Sequence, residues 1–363
     1  MGRGFLSEVN EGLGSGLRRS WTRLPVIGTT RSRGPAGKLA FCAMVSSLVL
    51  SGCGPVVASE AVRLPLIIAH RGGGADYPEN TLVAIEGALD HQADMIWLTI
   101  QLSQDGVPVL YRSADLSALT EGAGTVASKD FAQLQKLNAG WNFAQIGADG
   151  VKRYPYRGLS VPIPSLQQAL QAIPDSVSVI LDMKALPAEP QAQAVADVLD
   201  QAHAWKRTLI YSTDAAYQQV FSRFPQARLF ESRDITRNRL TTVALAQECE
   251  APPAADIWAA FELRRDVLVV EEFTLGEARS PVKAKFWTPA AVSCFHSQGK
   301  TNLVAIAVNS ADAYREASCL GMDAVLVDSP QVMQAIKAGT LGLPLPCEEP
   351  IETKTAAKIR TVR

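Results

Sequence analysis

Short apolar runs alternate with helix-like stretches along most of this chain. From about residue 60 onward, eight runs rich in β-branched and aromatic residues are separated by polar segments: PLIIAH, MIWLTIQL, SVSVILDM, RTLIYST, ARLFES, DIWAAFE, LVAIAVN and DAVLVDSP. Between them lie segments with helical spacing of apolar residues, such as TLVAIEGALDHQ and EPQAQAVADVLDQAHAW. Strands that alternate with helices predict a parallel sheet. Eight such units favour a (β/α)8 TIM barrel in a single domain.

A doubly wound sheet is the alternative arrangement of the same units. No GxGxxG motif follows the first strand, which removes the main argument for a dinucleotide site of that fold. The segment from Asp105 to about Pro164 is too long for a plain loop after the second strand. It predicts an insertion that contains a hairpin in DGVPVLYR and a short helix in SKDFAQLQKL.

The second predicted strand alternates cleanly enough to assign its two faces. Residues of one parity form an apolar set that should pack on the helices: Ile96, Leu98, Ile100 and Leu102. Residues of the other parity should then point into the barrel: Trp97, Thr99 and Gln101. The barrel-facing positions of this strand therefore carry no acidic side chain.

The start of the chain has the pattern of an export signal. A basic head is followed by LAFCAMVSSLVLSGC, an apolar run shorter than the roughly 18–20 residues of a membrane span. The residues before Cys53 resemble a bacterial lipobox, in which the Cys is acylated. The alternative is an ordinary cleaved signal with an incidental Cys. The lipobox predicts a signal segment at 1–52, followed by a linker at 53–62. The alternation of strands and helices places the barrel at 63–340, and the lack of apolar periodicity after it predicts a mobile tail at 341–363.

A lipidated Cys53 implies an exported lipoprotein that is anchored to a bacterial membrane and faces the periplasm. Gly54 is not the Asp that tends to retain such proteins at the inner membrane, so the outer membrane is favoured. The formal net charge of −1 gives no electrostatic argument for nucleic acid as a partner.

Four further cysteines allow three disulfide pairings in an oxidising compartment: Cys249, Cys294, Cys319 and Cys347. None has CxxC spacing, so zinc is not expected. Cys319 occupies a helix-like apolar position, and a buried free thiol is an alternative for it.

The segment HRGGGADYPENT has the features of a phosphate site at a strand end. His70 and Arg71 directly follow LIIA, and an imidazole beside a guanidinium suits a phosphoryl oxygen. Gly72, Gly73 and Gly74 let the backbone approach a ligand, and Asn80 or Thr81 can cap the following helix. A capped helix with a packed His explains a lone HRG motif about as well.

The complete segment resembles the signature of the glycerophosphodiester phosphodiesterase family. QLSQDGVPVLY is similar to the second block of that family, IPSLQQAL…VSVILDMK to its third, and AVNSADAYREASCLGMDAVLVDSP to its last helix and strand. The resemblance implies a (β/α)8 barrel that hydrolyses glycerophosphodiesters to glycerol phosphate and an alcohol. The family uses a divalent metal, usually calcium or magnesium.

Part of the family site is present in this sequence. The resemblance assigns the first catalytic His to His70 and the neighbouring Arg to Arg71. Asp182 takes the place of a third-strand carboxylate that is usually Glu, and Lys184 matches the Lys that follows it.

Other site positions hold residues of a different chemical type. Trp97 and Thr99 stand where the family has two metal-binding carboxylates, and Arg112 stands where it has a second catalytic His. Ile306 and Ala307 replace a Trp-Thr pair near the seventh strand.

These replacements argue against a family-type metal site. A hard divalent cation prefers about six oxygen ligands, several of them anionic. Asp182 is the only retained candidate ligand, and Thr99 and Gln101 add no charge. Calcium or magnesium would need an altered site, for which Glu231 or Glu262 at later strand ends are candidates.

The remaining charges predict a cationic pocket formed by Arg71, Arg112, Lys184 and, once protonated, His70. Arg112 cannot exchange protons near neutral pH, so it cannot replace a general acid or base. The candidate substrate contacts are Glu79, Arg112, Lys184 and Trp97. For two of these an ordinary structural role is open: a salt bridge between Arg112 and Asp115, and core filling by Trp97.

Three classes of function follow from these residues. The first is a phosphoric diester hydrolase of lipid headgroup or glycerophosphodiester metabolism, with weak or metal-independent catalysis. The second is a non-catalytic envelope lipoprotein that binds a phosphorylated small molecule. The third is a structural or assembly protein of the envelope that uses the barrel as a scaffold.

Overall fold

A curled parallel sheet with helices packed on it organises the part of the chain that the computed structural model describes, namely residues 63–342, Leu345 and Cys347. Strands β1 to β12 of this part are Leu66–His70, Met95–Leu102, Pro108–Leu110, Gln145–Ile146, Lys152–Arg153, Ser178–Met183, Thr208–Ser212, Trp258–Glu262, Arg264–Phe273, Gly276–Lys285, Asn302–Ile306 and Ala324–Val327. Helices α1 to α9 are Leu82–Asp90, Phe131–Leu134, Leu166–Ala172, Ala188–Gln201, Ala215–Phe221, Arg233–Ala246, Pro289–Phe295, Ala311–Cys319 and Pro330–Thr340. The fold is TIM-barrel-like, as the alternation of strands and helices predicts.

The predicted signal segment 1–52, the linker 53–62 and most of the tail 341–363 lie outside the described residues. Among the residues that are described, no helix combines the length and the apolarity that a membrane crossing requires.

The main sheet runs in the order β7-β6-β2-β1-β12-β11-β8, and all pairs along this path are parallel. Seven of the eight predicted strands are therefore regular. The run ARLFES is the exception, because only Leu229 and Phe230 make bridges, to Ile210 of β7 and Trp258 of β8. The run is cut short because Ser232 already caps α6, where its hydroxyl accepts a hydrogen bond from the Ile235 amide at 3.4 Å.

The two faces of β2 pack as their alternation predicts. Ile96, Leu98 and Ile100 are buried in a cluster with side chains of the surrounding helices. Trp97 belongs to a separate interior cluster, where its ring lies 4.7 Å from that of Tyr211 and 6.0 Å from that of Phe230.

The predicted hairpin and short helix are present between β2 and β6. β3 pairs antiparallel with β2, so that Ile100 faces Leu110. The helix is α2, and two 3₁₀ turns, Leu116–Ala118 and Val126–Ser128, lie beside it. This segment has a small core of its own that includes Val109, Tyr111, Leu116, Val126, Leu134 and Ile163.

A second, longer hairpin was not predicted from the sequence. β9 and β10 pair antiparallel over ten residues each, directly after the carboxyl end of β8. Most of their side chains are exposed, including Leu268 and Val269. The Val-rich run Val267–Val270 was the sequence signal that could have predicted a strand here. The hairpin forms a separate two-stranded sheet and adds no strand to the main sheet.

Two disulfides resolve the pairing that the sequence left open. Cys249 bonds to Cys294 of α7, and Cys319 at the end of α8 bonds to Cys347. The free-thiol alternative for Cys319 is therefore wrong. Its helix-like position reflects α8, while Cys347 supplies its partner from the segment after α9.

Candidate active site

Three strand ends hold His70 in a fixed orientation. His70 ends β1, and its Nδ1 lies 2.7 Å from Oδ1 of Asp328, which follows β12. Asn309, after β11, donates to Oδ2 of Asp328 at 2.6 Å and accepts from the Asp328 amide at 2.8 Å. The hydrogen bond with His70 lowers the pKa of Asp328. An ionised Asp328 accepts a hydrogen bond from Nδ1–H of His70, so Nε2 carries no proton and can act as a base.

The glycine-rich turn after His70 is closely packed. Gly72 and Gly73 adopt φ values of 78° and 95°, which favour glycine. A Cβ on Gly73 would lie 2.9 Å from Cδ of Pro330, and one on Gly72 would lie 3.0 Å from Cβ of Ala84. These glycines therefore fit the turn between α1 and α9, a role that differs from the predicted approach of backbone to ligand.

Arg71, which directly follows the carboxyl end of β1, is held in place by Glu79. Its guanidinium contacts the Glu79 carboxylate, and both side chains are largely buried. Thr81 caps α1, and its hydroxyl accepts from the Ala84 amide at 3.1 Å. Asn80 connects this turn to β2, because its Oδ1 accepts from the Thr99 amide at 2.9 Å.

Several buried polar atoms of this region have no hydrogen-bond partner within the described part of the chain. They are Arg71 Nε, Glu79 Oε1, Asn80 Nδ2, Trp97 Nε1 and Thr99 Oγ1. Buried polar atoms of this kind are costly unless water or a ligand meets them. Their concentration beside His70 indicates a site for a polar ligand.

Asp182 of β6 is buried next to this region. It pairs in register with Thr99 across β2 and β6, and Nζ of Lys184 lies 3.1 Å from its Oδ1. Burial raises the pKa of Asp182, while Lys184 opposes that rise.

A partly buried ion pair, called here the Arg233–Glu262 clamp, connects β8 with α6 and contacts Tyr211 of β7. Arg233 contacts both oxygens of Glu262 at 2.6 Å and donates to the hydroxyl of Tyr211 at 3.2 Å. Burial raises the pKa of Tyr211 to about 12, so its hydroxyl stays protonated at neutral pH.

The expected cationic pocket is not what the structure shows. Arg71 pairs with Glu79, Lys184 with Asp182 and Arg233 with Glu262, while His70 contacts Asp328. The predicted cationic pocket left these acids out of the charge balance. Glu79 and Asp182 are near in sequence to the cations they contact, whereas Asp328 and Glu262 come from other strands.

Two further predicted substrate contacts have different surroundings. Trp97 is 2% exposed, so its ring fills the interior and offers little surface to a ligand. Arg112 is exposed, and the predicted partner Asp115 instead accepts from the Ser117 amide at 2.9 Å and the Gly124 amide at 3.2 Å. Gln101 positions the backbone around it by donating to the carbonyls of Tyr111 at 3.0 Å and Ser113 at 2.9 Å.

The residues present do not fit the calcium or magnesium site of the resembled family. Across residues 63–342, Leu345 and Cys347, no cluster of three or more His, Cys, Asp or Glu side chains could hold a metal ion. Asp182 and Glu262 are each held by a cation, and Glu231 pairs with Arg239 at 2.6 Å. Hard divalent cations need several anionic oxygens on one centre, which this arrangement does not supply.

Asp328, Asn309 and Arg233 were missed by sequence reasoning. Asp328 follows the apolar part of the run DAVLVDSP, and Asn309 ends LVAIAVN, so both stand at predicted strand ends where barrel function concentrates. Arg233 lies in the first turn of α6, where no motif marks it.

Comparison with known proteins points to one family. Residues 70–332 match the model of the glycerophosphoryl diester phosphodiesterase family. An uncharacterized protein of Mycobacterium tuberculosis is 49% identical over 270 residues, which is 74% of this chain and 89% of that protein. Glycerophosphodiester phosphodiesterase 1 of Rattus norvegicus is 44% identical over 75 residues, which is 21% of this chain and 23% of that protein.

Solved structures agree with this fold. The glycerophosphoryl diester phosphodiesterase domain of the Mycobacterium tuberculosis protein superposes with a TM-score of 0.70 at 47% identity, covering 76% of this chain and all of that domain (100%). An Oleispira antarctica phosphodiesterase in complex with the product sn-glycerol-3-phosphate has a TM-score of 0.55 at 21% identity, covering 76% of this chain and 97% of that one. At that identity the second likeness concerns the fold alone.

Proposed function

This chain belongs to the glycerophosphoryl diester phosphodiesterase family, and from that premise we propose that it hydrolyses a glycerophosphodiester slowly, without the family's divalent metal. The observation that carries the proposal is the orientation of His70 by Asp328 and Asn309 beside unpartnered polar atoms. A phosphodiester or a phosphorylated small molecule is the ligand class that fits such a site. We further infer a closed (β/α)8 barrel in one domain, with the segment between β2 and β6 as its insertion.

The reaction uses His70 as both base and acid. Nε2 takes a proton from the attacking water while the water oxygen bonds to phosphorus. The bond between phosphorus and the alcohol oxygen breaks, and Nε2 returns the proton to the leaving alkoxide. The products are glycerol phosphate and an alcohol, so atoms and charge balance.

The surrounding charges serve the phosphoryl group. The unpartnered Nε of Arg71 can donate to one phosphoryl oxygen, and Lys184 can approach another from its partly exposed position. Both cations are already neutralised by acids, so their stabilisation of the transition state is weaker than that of a metal ion. The hydrolysis of a glycerophosphodiester by this chain is therefore slow.

Replacing Asp328 by Asn tests the positioning of His70. An amide can offer its NH2 group to Nδ1, which favours the tautomer with the proton on Nε2 and removes the base. We expect kcat for glycerophosphocholine to fall about 10²–10⁴-fold, with a much smaller change in KM. The matched control is Asp312→Asn, an exposed residue of α8. Unchanged kcat in Asp328→Asn would contradict the proposed role.

A binding protein without turnover is the second candidate. It is favoured by Arg112, which stands where the resembled family has a proton-exchanging His, and by the missing metal ligands. Saturable binding of glycerol phosphate with no release of alcohol from any glycerophosphodiester tested would select this candidate.

We also propose that Cys53 is acylated and anchors the protein to an envelope membrane, more favourably the outer one. The basic head, the short apolar run and Leu50-Ser51-Gly52-Cys53 support this location. Cys53→Ala should leave the precursor unprocessed, as measured by the mass of the protein in cell fractions. Cys42→Ala is the matched control. Normal cleavage and release of the Cys53 variant would contradict the anchor.

A further inference from the structure

The hairpin formed by β9 and β10 has an unpaired strand edge. Each strand pairs only with the other among the described residues. Its base is fixed to the body by Glu316 of α8, which contacts Arg264 and lies 3.1 Å from Nζ of Lys285. A long, exposed strand edge with apolar side chains is a template for pairing with another chain.

Charge is distributed unevenly along β9. Arg264 and Arg265 lie at the base, whereas Glu271 and Glu272 lie near the tip. The segment between them is apolar apart from Asp266, and Leu268, Val269 and Val270 are 54%, 44% and 45% exposed. Arg265, Glu271 and Glu272 have no ion-pair partner in the described structure. The strand is therefore complementary to an antiparallel copy of itself.

The outer edge of β10 is less suited than that of β9 to pairing with a second copy of the chain. Pro281 lies at its centre and has no amide hydrogen to donate to a neighbouring strand. An antiparallel copy centred on Pro281 would also set Arg279 against Lys283. Pairing through β10 is therefore disfavoured, and β9 remains the free edge.

One register of two β9 strands satisfies the charges at both ends. With Leu268 opposite Leu268 of the second copy, Arg265 faces Glu271, and symmetry repeats this pair. Arg264, which also contacts Glu316 of its own copy, faces Glu272. Shifting the strands by one residue, so that Leu268 faces Val269, sets Asp266 opposite Glu271. The central register therefore has the best electrostatic match.

We propose that two copies of this chain associate through antiparallel pairing of their β9 edges, with Leu268 on the two-fold axis. The two hairpins then form a continuous four-stranded sheet, in which each exposed β9 edge is covered. Because the hairpin follows β8 directly, this sheet lies beside the strand that ends in Glu262 of each copy. The occupant of the edge is a second copy of the chain.

Charge reversal on either end of β9 tests the pairing. In full-length protein purified in mild detergent, Arg265→Glu or Glu271→Arg alone should weaken the dimer at least about tenfold, as measured by sedimentation over a concentration series. An equimolar mixture of the two variants should restore dimers, because each then meets an opposite charge. Restoration in the mixture also shows that both variants fold. Arg279→Glu on β10, which faces Val270 across the hairpin, is the matched control and should leave the dimer unchanged.

A cysteine on the proposed axis tests the register. Leu268→Cys should give a disulfide-linked dimer under mild oxidation, because facing residues of paired strands lie within disulfide range. Ser280→Cys on β10 should not cross-link. Three outcomes would overturn the proposal: a monomer at every concentration, no gain on mixing the variants, or efficient cross-linking through Ser280→Cys. Leu275 lies in the turn between β9 and β10 and is 99% exposed. A monomer that binds phosphatidylcholine vesicles, and loses this binding in Leu275→Asp, would overturn the proposal and assign the hairpin to a lipid surface.

Discussion

His70→Ala should abolish the hydrolysis of glycerophosphodiesters, lowering kcat about 10²–10⁴-fold, which is the contribution of a positioned proton-transfer group. In the proposed mechanism His70 is the proton-exchanging group of the site, because Arg112 stays charged and Tyr211 stays protonated at neutral pH. Release of choline from glycerophosphocholine measures the loss. The activity of the unmodified protein should also withstand a chelator, since the donor set does not fit a divalent cation.

His203→Asn is the control for this experiment. His203 is exposed beyond the end of α4 and has a φ of 50°, a conformation that Asn tolerates well. Brisk turnover that a chelator abolishes would show that metal ligands exist outside the arrangement described above. Phosphate binding that persists in His70→Ala, with no turnover in either protein, would favour the binding candidate.

Trp97→Glu should destabilise the protein by at least about 3–5 kcal/mol, the usual cost of deleting a buried Trp ring. Trp97 packs 4.7 Å from Tyr211, and its neighbours in the interior cluster are apolar or aromatic. The substitution adds a buried carboxylate to the cavity, and Asp182 is close by on the neighbouring strand. Urea unfolding followed by circular dichroism measures the change in the free energy of unfolding.

The same substitution is required to rebuild the family's metal site. Trp97→Glu, Thr99→Asp and Arg112→His together would place carboxylates beside Asp182, so calcium should recover part of the lost stability. Trp97→Phe is the control, because it keeps an aromatic ring and should cost less than Trp97→Glu. A stable Trp97→Glu variant without metal would show that the interior can relax around this position.

The elements that the sequence predicts well are those whose pattern is local. β2 alternates strictly, so the inward direction of Trp97 could be read without any structure. The run ARLFES was predicted as a full strand but is not one, because Ser232 at its end already caps α6. The signal for a strand and the signal for the start of a helix overlap on the same residues. The β9–β10 hairpin was missed because its Val-rich run interrupts the expected alternation between β8 and α7.

The site was predictable only where one chain segment carries it. HRGGGADYPENT supplies His70 and Arg71 together, and motif reading found both. Asp328 and Asn309 lie more than two hundred residues further on. Their positions at strand ends make them candidates, but the local sequence does not show that Asp328 contacts His70 or that Asn309 contacts Asp328. The wrong expectation for charge has a different cause. Glu79 and Asp182 lie close in sequence to Arg71 and Lys184, but they were assigned to a substrate and a metal ion and were not counted against these cations.

The irregular run between β7 and β8 has a consequence for motion. Around Leu229 and Phe230, three backbone hydrogen bonds connect the run to its neighbours: Ile210 to Arg228, Phe230 to Ile210, and Glu231 to Trp258. Elsewhere, adjacent strands of the sheet share longer ladders, such as the five-residue register between β8 and β11. Local opening of the sheet should begin at this run between β7 and β8, called here the seam, because few backbone hydrogen bonds have to break there. Such opening would loosen the Arg233–Glu262 clamp beside the seam and widen the mouth of the site for a bulky alcohol.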